Sequence, residues 1–279
     1  MELGIAVFAT DVSWPIDDLA RAVEERGFAS LAVPEHTHMP VEHSDHPAGQ
    51  GLPDEYRRTL DPVVALTTAA TATSSLRLLF GVSLLAQHDP IVLAKAVASL
   101  DHVSAGRVEF GVGYGWNRPE LEHHGVAWSQ RRAVVADRVD ALRALWRDDE
   151  ASVDLPHAQL EPSWSWPKPV QRPGPPIMLG AALGPRTLDD LVHHFDGWLP
   201  LGRTAAVDGL EQLRRAWTDA GREGRPAVHV LGAAPKADAV RQLAATGEVD
   251  RVSFWLPSAP RTETLPVLDV YTELLEAAR

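Results

Sequence analysis

Residues 76–113, LRLLFGVSLLAQHDPIVLAKAVASLDHVSAGRVEFGVG, carry a pattern that recurs along the whole chain. The two ends, LRLLFGVSLL (76–85) and RVEFGVG (107–113), are short runs rich in apolar residues. Runs that are nearly continuously apolar, and do not alternate, are typical of parallel strands covered on both faces. With a helical segment between them, these residues predict one strand–helix–strand unit.

The same unit extends in both directions along the chain. Six further strand candidates occupy residues 3–8, 30–34, 176–181, 197–201, 228–232 and 251–256. Apolar residues recur at helical spacing over 16–23, 135–146, 210–217 and 268–278. Eight such units in 279 residues favour an α/β fold with one (β/α)8 TIM barrel over an open doubly wound sheet. We therefore predict a single domain over residues 1–279, with extended loops after strands two and four.

The loop after the second strand contains four of the twelve histidines, in the stretch PEHTHMPVEHSDH (34–46). It leaves the carboxyl end of its strand, which is the face where barrel enzymes have their active sites. The spacing H-x-H-x4-H-x2-H in a flexible loop matches no zinc pattern, so we predict no metal site. His36 ends the strand and is the candidate proton carrier, because histidine titrates near neutral pH. His38, His43 and His46 are predicted to be solvated or to line the substrate pocket.

Two further predictions concern the opposite end of the barrel. The proline-rich residues 150–175 lead into the fifth strand, and their composition predicts a stiff extended connector. Trp164 and Trp166 within it are predicted to pack and not to catalyse. Asp101, which precedes the fourth strand, is predicted to pair with Arg107.

Composition restricts the possible partners and compartments. The net charge of −12 comes without a run of Lys or Arg, which disfavours nucleic acid and anionic membranes as partners. The chain has no cysteine, which excludes disulfides, thiolate metal ligands and a cysteine nucleophile. The first residues lack the basic region of a signal peptide, and no apolar run approaches the roughly 18 residues of a spanning helix. These features predict a cytoplasmic protein.

GVGYGWN (111–117), at the end of the fourth strand, is the sharpest local motif. Glycines at every second position allow a ligand close to the backbone, although their spacing is not that of a dinucleotide fingerprint. The longer segment SLDHVSAGRVEFGVGYGWNRPELEHHGV (99–126) resembles the luciferase-like monooxygenase superfamily. Further matching segments follow in the family's order: LAVPEHTHMP, GVSLLAQHDPIVLAKAVASLD, PVQRPGPPIMLGAALGPRTL and DGWLPLG. The chain is most similar to the branch of oxidoreductases that use the deazaflavin coenzyme F420.

The resemblance implies a flavin or deazaflavin in the mouth of the barrel. His36 corresponds to a histidine near the deazaflavin's reactive carbon in some relatives, and Glu35 would orient the ring or form a salt bridge. Gly81-Val82-Ser83 corresponds to a bulge, often with a non-prolyl cis peptide, that backs the ring. The candidates for an apolar bed under the ring are Val82, Leu84, Trp116 and Trp198. The other implied cofactor contacts are, near the ring and ribityl chain, Gly113, Gly115, Trp116 and Asn117, and, near the phosphate, Gly180, Ala181 and Arg186.

The function implied by the resemblance is hydride transfer between F420 and a small organic substrate, with His36 and Glu35 as catalytic candidates. Relatives that oxidise sugar phosphates have a glutamate where this chain has Trp116, which disfavours that substrate class. Two alternatives stay open: an FMN-dependent monooxygenase with a separate flavin reductase, and a non-catalytic flavin- or deazaflavin-binding protein. A homodimer is expected from the resemblance alone.

Overall fold

A computed structural model describes residues 1–46 and 51–278 of the chain, and in it the predicted strands close into one parallel barrel. The strands are β1 (Glu2–Ala6), β2 (Ser30–Val33), β3 (Arg77–Ser83), β4 (Val108–Gly113), β5 (Ala151–Leu155), β6 (Ala158–Ser163), β7 (Ile177–Gly180), β8 (Gly197–Trp198), β9 (Ala227–Leu231) and β10 (Arg251–Trp255). Around the barrel the order is β1-β10-β9-β8-β7-β4-β3-β2. All eight predicted strands are present, and the (β/α)8 prediction is confirmed.

Helices follow the barrel strands and surround them. They are α1 (Ile16–Glu25), α2 (Pro62–Ala72), α3 (Pro90–Val103), α4 (Arg118–His123), α5 (Arg131–Arg147), α6 (Pro185–His194), α7 (Gly202–Asp219), α8 (Ala237–Ala245) and α9 (Arg261–Thr272). Asp61 and Asp89 begin α2 and α3 by accepting hydrogen bonds from first-turn amides, each directly before a proline at the first helical position. Among the described helices, none is both long and apolar enough to cross a membrane.

The interior of the barrel changes character along its axis. Near the amino-terminal ends of the strands lies a buried ionic cluster that includes Glu109 and Arg251. The next layer is apolar and consists of Ala6, Ala32, Leu79, Met178, Leu199 and Leu231. The two alanines are small, so this layer leaves space toward the carboxyl-terminal ends of the strands, where the candidate site lies.

The connection over residues 150–175 differs from the prediction. Its first part is an antiparallel hairpin of β5 and β6 outside the barrel, and not a stiff extended connector. The packing predicted for Trp164 and Trp166 is wrong, because 79% and 54% of these residues' surfaces are exposed. The hairpin forms because apolar side chains alternate along both strands and can pack against α5.

The pairing predicted between Asp101 and Arg107 is also wrong. Asp101 accepts hydrogen bonds from the backbone and side-chain amides of Gln171, at 2.9 and 2.7 Å. Arg107 instead donates to backbone carbonyls that include those of Ala70 and Leu76, at 2.8 and 2.9 Å. Both side chains therefore hold loops at the amino-terminal face of the barrel.

Candidate active site

A cavity opens at the carboxyl-terminal ends of the barrel strands, and all eight strands or the residues just after them contribute to its wall. We call its two adjoining parts the inner slot, about 150 Å³, and the outer cavity, about 520 Å³. Both parts share the walls Phe8, Tyr56, Trp116, Leu201 and Trp255. The inner slot is also lined by Pro34, Glu35, His36, Gly81, Val82, Leu84, Gly180, Leu199 and Leu231. The outer cavity is also lined by His46, Pro53, Glu55, Leu256, Pro257 and Ser258.

His36 is held in the inner slot by a buried glutamate that sequence reasoning missed. Its Nδ1 lies 2.9 Å from Oε2 of Glu120, in the first turn of α4, and the two side chains are only 6% and 1% exposed. No hydrogen-bond partner within the described residues occupies the other oxygen, Glu120 Oε1. With Nδ1 engaged, Nε2 is the ring nitrogen left for a ligand. The pair can therefore carry a proton inside an apolar slot.

Glu35 points away from His36, as strand alternation predicts, and its carboxylate is engaged by the protein. Oε2 accepts hydrogen bonds from the Ser83 hydroxyl and the Leu84 amide, at 2.8 and 2.7 Å, and Oε1 lies 2.5 Å from His88 Nε2. Burial alone would raise the pKa of Glu35, but His88 and these hydrogen bonds together hold it below its ordinary value. The geometry favours the salt-bridge alternative for Glu35, which braces the end of β3.

Val82 forms one wall of the slot and explains two of the glycines near it. The Gly81–Val82 peptide is cis, and the β3–β4 register shifts between Phe80 and Ser83, as the family resemblance implies. A Cβ on Gly113 would lie 2.6 Å from Val82 Cγ2, and one on Gly180 would lie 2.5 Å from Cγ1. Both glycines therefore leave space for the Val82 side chain, and Gly180 also lines the inner slot.

We expect Gly180→Ala to lower the free energy of unfolding by roughly 1–3 kcal/mol, because the new methyl group would overlap the stiff Val82 side chain. Adding Val82→Ala to this variant should recover most of the loss. Urea denaturation of both variants measures this. Gly184→Ala is the control, because a Cβ there meets nothing within 4 Å. A Gly180 variant as stable as this control would contradict the assignment.

The last residues of the glycine motif position the loop that follows β2. Asn117 is buried; its Oδ1 accepts a hydrogen bond from the Ser44 amide at 3.0 Å, and its Nδ2 lies 3.2 Å from the sulfur of Met39. Gly115 has a φ of +78°, a conformation that favours glycine. The resulting turn places Trp116 edge-on to His36, with ring centroids 5.7 Å apart. Trp116 thus lines the cavity, while the Asn117 side-chain amide hydrogen-bonds to the loop that follows β2.

The predicted phosphate side lies at the start of α6. Arg186 is exposed in its first turn, and the carbonyl of Ala181 accepts a hydrogen bond from the Trp198 indole at 2.8 Å. The Trp198 side chain is buried between the barrel and α7, where it packs against Gly209. The prediction that it lies beside the cofactor ring is therefore wrong.

Arg132 adds a second guanidinium at the start of α6. It donates to Asp190 at 2.6 Å and lies 4.6 Å from the centroid of the Tyr114 ring. Burial, together with a hydrogen bond to Asp190, raises the pKa of the Tyr114 hydroxyl, which therefore stays neutral. Arg132 is thus compensated by Asp190, and the start of α6 offers an anion its first-turn backbone amides and the exposed guanidinium of Arg186.

The loop histidines separate into two groups. His38 Nε2 lies 2.9 Å from His123 Nδ1, and His124 Nε2 lies 2.9 Å from the Thr37 hydroxyl, which brings in two histidines that the sequence assigned no role. His46 lines the outer cavity. Over residues 1–46 and 51–278, no three His, Asp or Glu side chains are arranged to hold a metal ion. Residues 47–50 of the predicted loop lie outside the described residues.

Comparison with known proteins places the chain in a family. Residues 15–258 match the luciferase-like monooxygenase family. An uncharacterized protein of Mycobacterium tuberculosis is 41% identical over 262 residues, which cover 92% of each chain. A monooxygenase structure from Streptomyces bottropensis superposes with a TM-score of 0.79, at 22% identity and 99% coverage of both chains. An F420-dependent secondary alcohol dehydrogenase, in complex with an F420-acetone adduct, superposes with a TM-score of 0.75, at 16% identity over both whole chains. The match over most of the chain, together with the barrel, shows that this protein belongs to the luciferase-like monooxygenase family.

Proposed function

We propose that this protein is an oxidoreductase that transfers a hydride between coenzyme F420 and a small organic substrate. The observation that carries the proposal is the buried His36–Glu120 pair, which opens onto an apolar slot. When a hydride reaches or leaves a carbon bonded to oxygen, a proton must move to or from that oxygen. A positioned histidine is the side chain that most often performs this transfer.

The walls of the inner slot suit the faces of a planar heterocycle, and the start of α6 suits an anionic tail. Val82, Leu199 and Leu231 supply apolar walls on which the faces of a deazaflavin ring would lie. The backbone at Gly180 would adjoin the ribityl chain, and the start of α6, with Arg186, would hold the phosphate. These positions agree with the contacts implied by the family resemblance.

The chemistry divides between the cofactor and the side chains. When bound, F420 supplies two-electron hydride chemistry and reacts poorly with oxygen. His36 Nε2 gives a proton to the carbonyl oxygen of a substrate undergoing reduction, or takes one from the hydroxyl of an alcohol undergoing oxidation. Glu120 accepts the Nδ1 hydrogen bond, which fixes the tautomer of His36 and leaves Nε2 to face the substrate. Glu35 braces Ser83 and Leu84 and so keeps the valine wall in place.

Separate titrations with F420 and FMN test the choice of cofactor. We expect saturable quenching of F420 fluorescence and weak or no quenching of FMN, followed by anaerobic oxidation of reduced F420 when a carbonyl substrate is added. Tight FMN binding without F420 quenching would contradict the proposal. It would favour a monooxygenase supplied by a separate flavin reductase, the alternative supported by the likeness to the Streptomyces bottropensis monooxygenase. F420 binding without turnover of carbonyls, alcohols, imines or alkenes would favour a non-catalytic binding protein.

A further inference from the structure

Four aromatic rings form part of the wall of the outer cavity. Phe8, Tyr56, Trp116 and Trp255 come from four separate segments, after β1, after β2, after β4 and at the end of β10. Phe8 stacks on Trp255 with ring centroids 5.3 Å apart and planes 25° apart, and it lies 4.6 Å from the Tyr56 ring. These four rings give the cavity an aromatic wall on which a ligand ring can pack face-on or edge-on.

The charges around this cavity disfavour an anion. No lysine or arginine is among the described residues that line the outer cavity or the inner slot. Glu55 adds a carboxylate to the outer cavity. The two arginines nearest to it in sequence, Arg57 and Arg58, both pair with Asp54, and Arg58 also pairs with Asp11. Apart from the lining histidines His36 and His46, a bound carboxylate or phosphate would find no cationic side chain to replace its lost hydration, and that loss is costly. The cavity therefore suits a neutral ligand.

The volume of the outer cavity and its connection to the inner slot are those expected of a substrate site. Its volume of about 520 Å³ falls within the range of about 300–1,000 Å³ that is usual for pockets that bind small organic molecules. Because it shares five wall residues with the inner slot, a ligand seated in it would reach toward His36. Leu201 stands at the rim, 70% exposed, and borders both parts.

We propose that the outer cavity binds the substrate and selects neutral compounds that carry an aromatic or fused ring next to the reacting carbonyl or carbinol carbon. The proposal rests on the proposed function for the reaction itself, but its claim about binding stands on the cavity walls alone. The aromatic walls would stack on the ring, and the absence of a lining cation would exclude ring systems that bear a carboxylate or phosphate.

Isothermal titration of the protein with 2-acetylnaphthalene and with 6-acetyl-2-naphthoate tests this selection, because the two probes differ only in a carboxylate. The titration is run with and without saturating oxidised F420. We expect the neutral probe to bind at least about tenfold more tightly at pH 7 in one or both forms. Equal or tighter binding of the carboxylate, or no binding of either probe in both forms, would overturn the proposal.

Variants of residues that line the outer cavity test whether the preference for the neutral probe arises there. Leu201→Arg adds a cation at an exposed position and is expected to remove most of the preference for the neutral probe, whereas Leu201→Gln should keep it. Phe8→Leu should weaken binding of the neutral probe about two- to tenfold, through the loss of aromatic stacking. If Leu201→Arg and Leu201→Gln behave alike, the probes bind elsewhere and the proposal fails. If F420 does not bind but the selection holds, the proposed function fails while the assignment of the cavity survives.

Discussion

Replacing His36 with glutamine is expected to lower kcat for F420-coupled turnover about 10²–10⁴-fold, the usual contribution of a positioned acid or base. Glutamine can still hydrogen-bond to Glu120, but it cannot gain or lose the proton that accompanies the hydride. F420 should still bind, because the other walls of the inner slot and the start of α6 are unchanged. Steady-state kinetics, with a parallel fluorescence titration of F420, measure both quantities.

His38→Gln is the matched control for that experiment. His38 lies two residues further along the same loop, and its Nε2 faces His123 instead of the inner slot. We expect it to cost less than about tenfold in kcat, well below the contribution of a general acid or base. If both variants lose the same activity, the effect comes from disturbing the loop, and the assignment of proton transfer to His36 is wrong.

Glu120→Gln separates positioning from proton transfer. The variant keeps an amide oxygen near Nδ1 but loses the carboxylate charge beside the ring. We expect a smaller fall in kcat than for His36→Gln, little change in substrate KM, and no further loss in the double variant, since the two residues act as one unit. Additive losses in the double variant would mean that Glu120 acts independently of His36.

The barrel could be predicted because each parallel strand is a short apolar run that local sequence reveals. The β5–β6 hairpin was missed for a different reason. Its prolines suggested an extended connector, although Val153 and Leu160 lie in strands where buried and exposed residues alternate, and that period of two is a strand signal. Alternation was therefore the better guide in this segment, and the proline count was misleading.

The candidate site was predictable where a residue ends a strand and not where it depends on contacts across the barrel. His36 lies three residues after the end of β2, so strand direction alone places it at the active-site face. Glu120 reaches it from α4, 84 positions later, and no local pattern encodes that distance. A signal was nevertheless present, because Glu120 is an acidic residue in the first turn of a helix directly after the glycine motif. For Asn117 the local motif predicted a ligand contact, but the side-chain amide hydrogen-bonds to Ser44 in the loop that follows β2.

The ionic cluster at the amino-terminal end of the barrel should control stability, not activity. Arg251 donates to Glu109 at 2.6 Å and to Glu2 at 2.7 Å, and His229 Nδ1 lies 3.4 Å from Glu109. Burial alone would raise the pKa of Glu109, but His229 and Arg251 lower it from 4.5 to about 2. The Glu109 carboxylate is therefore ionised inside the barrel at neutral pH, where Arg251 and His229 compensate its charge.

We expect Arg251→Met to lower the free energy of unfolding by about 3–5 kcal/mol at pH 7, because it leaves the buried charge of Glu109 without its closest partner. Arg77→Met is the control: Arg77 also faces Glu109, at 3.4 Å, but its side chain is 47% exposed against 3% for Arg251, so its loss should cost about 0–1 kcal/mol. Because the pKa of Glu109 is lowered in the folded state, its stabilising contribution is complete above about pH 4.5 and is lost as the pH falls toward 2. The gap between wild type and Arg251→Met in urea denaturation should therefore narrow over that interval. A gap that stays constant down to pH 3, or equal losses for the two arginine variants, would show that the effect of Arg251 comes from packing and not from its charge.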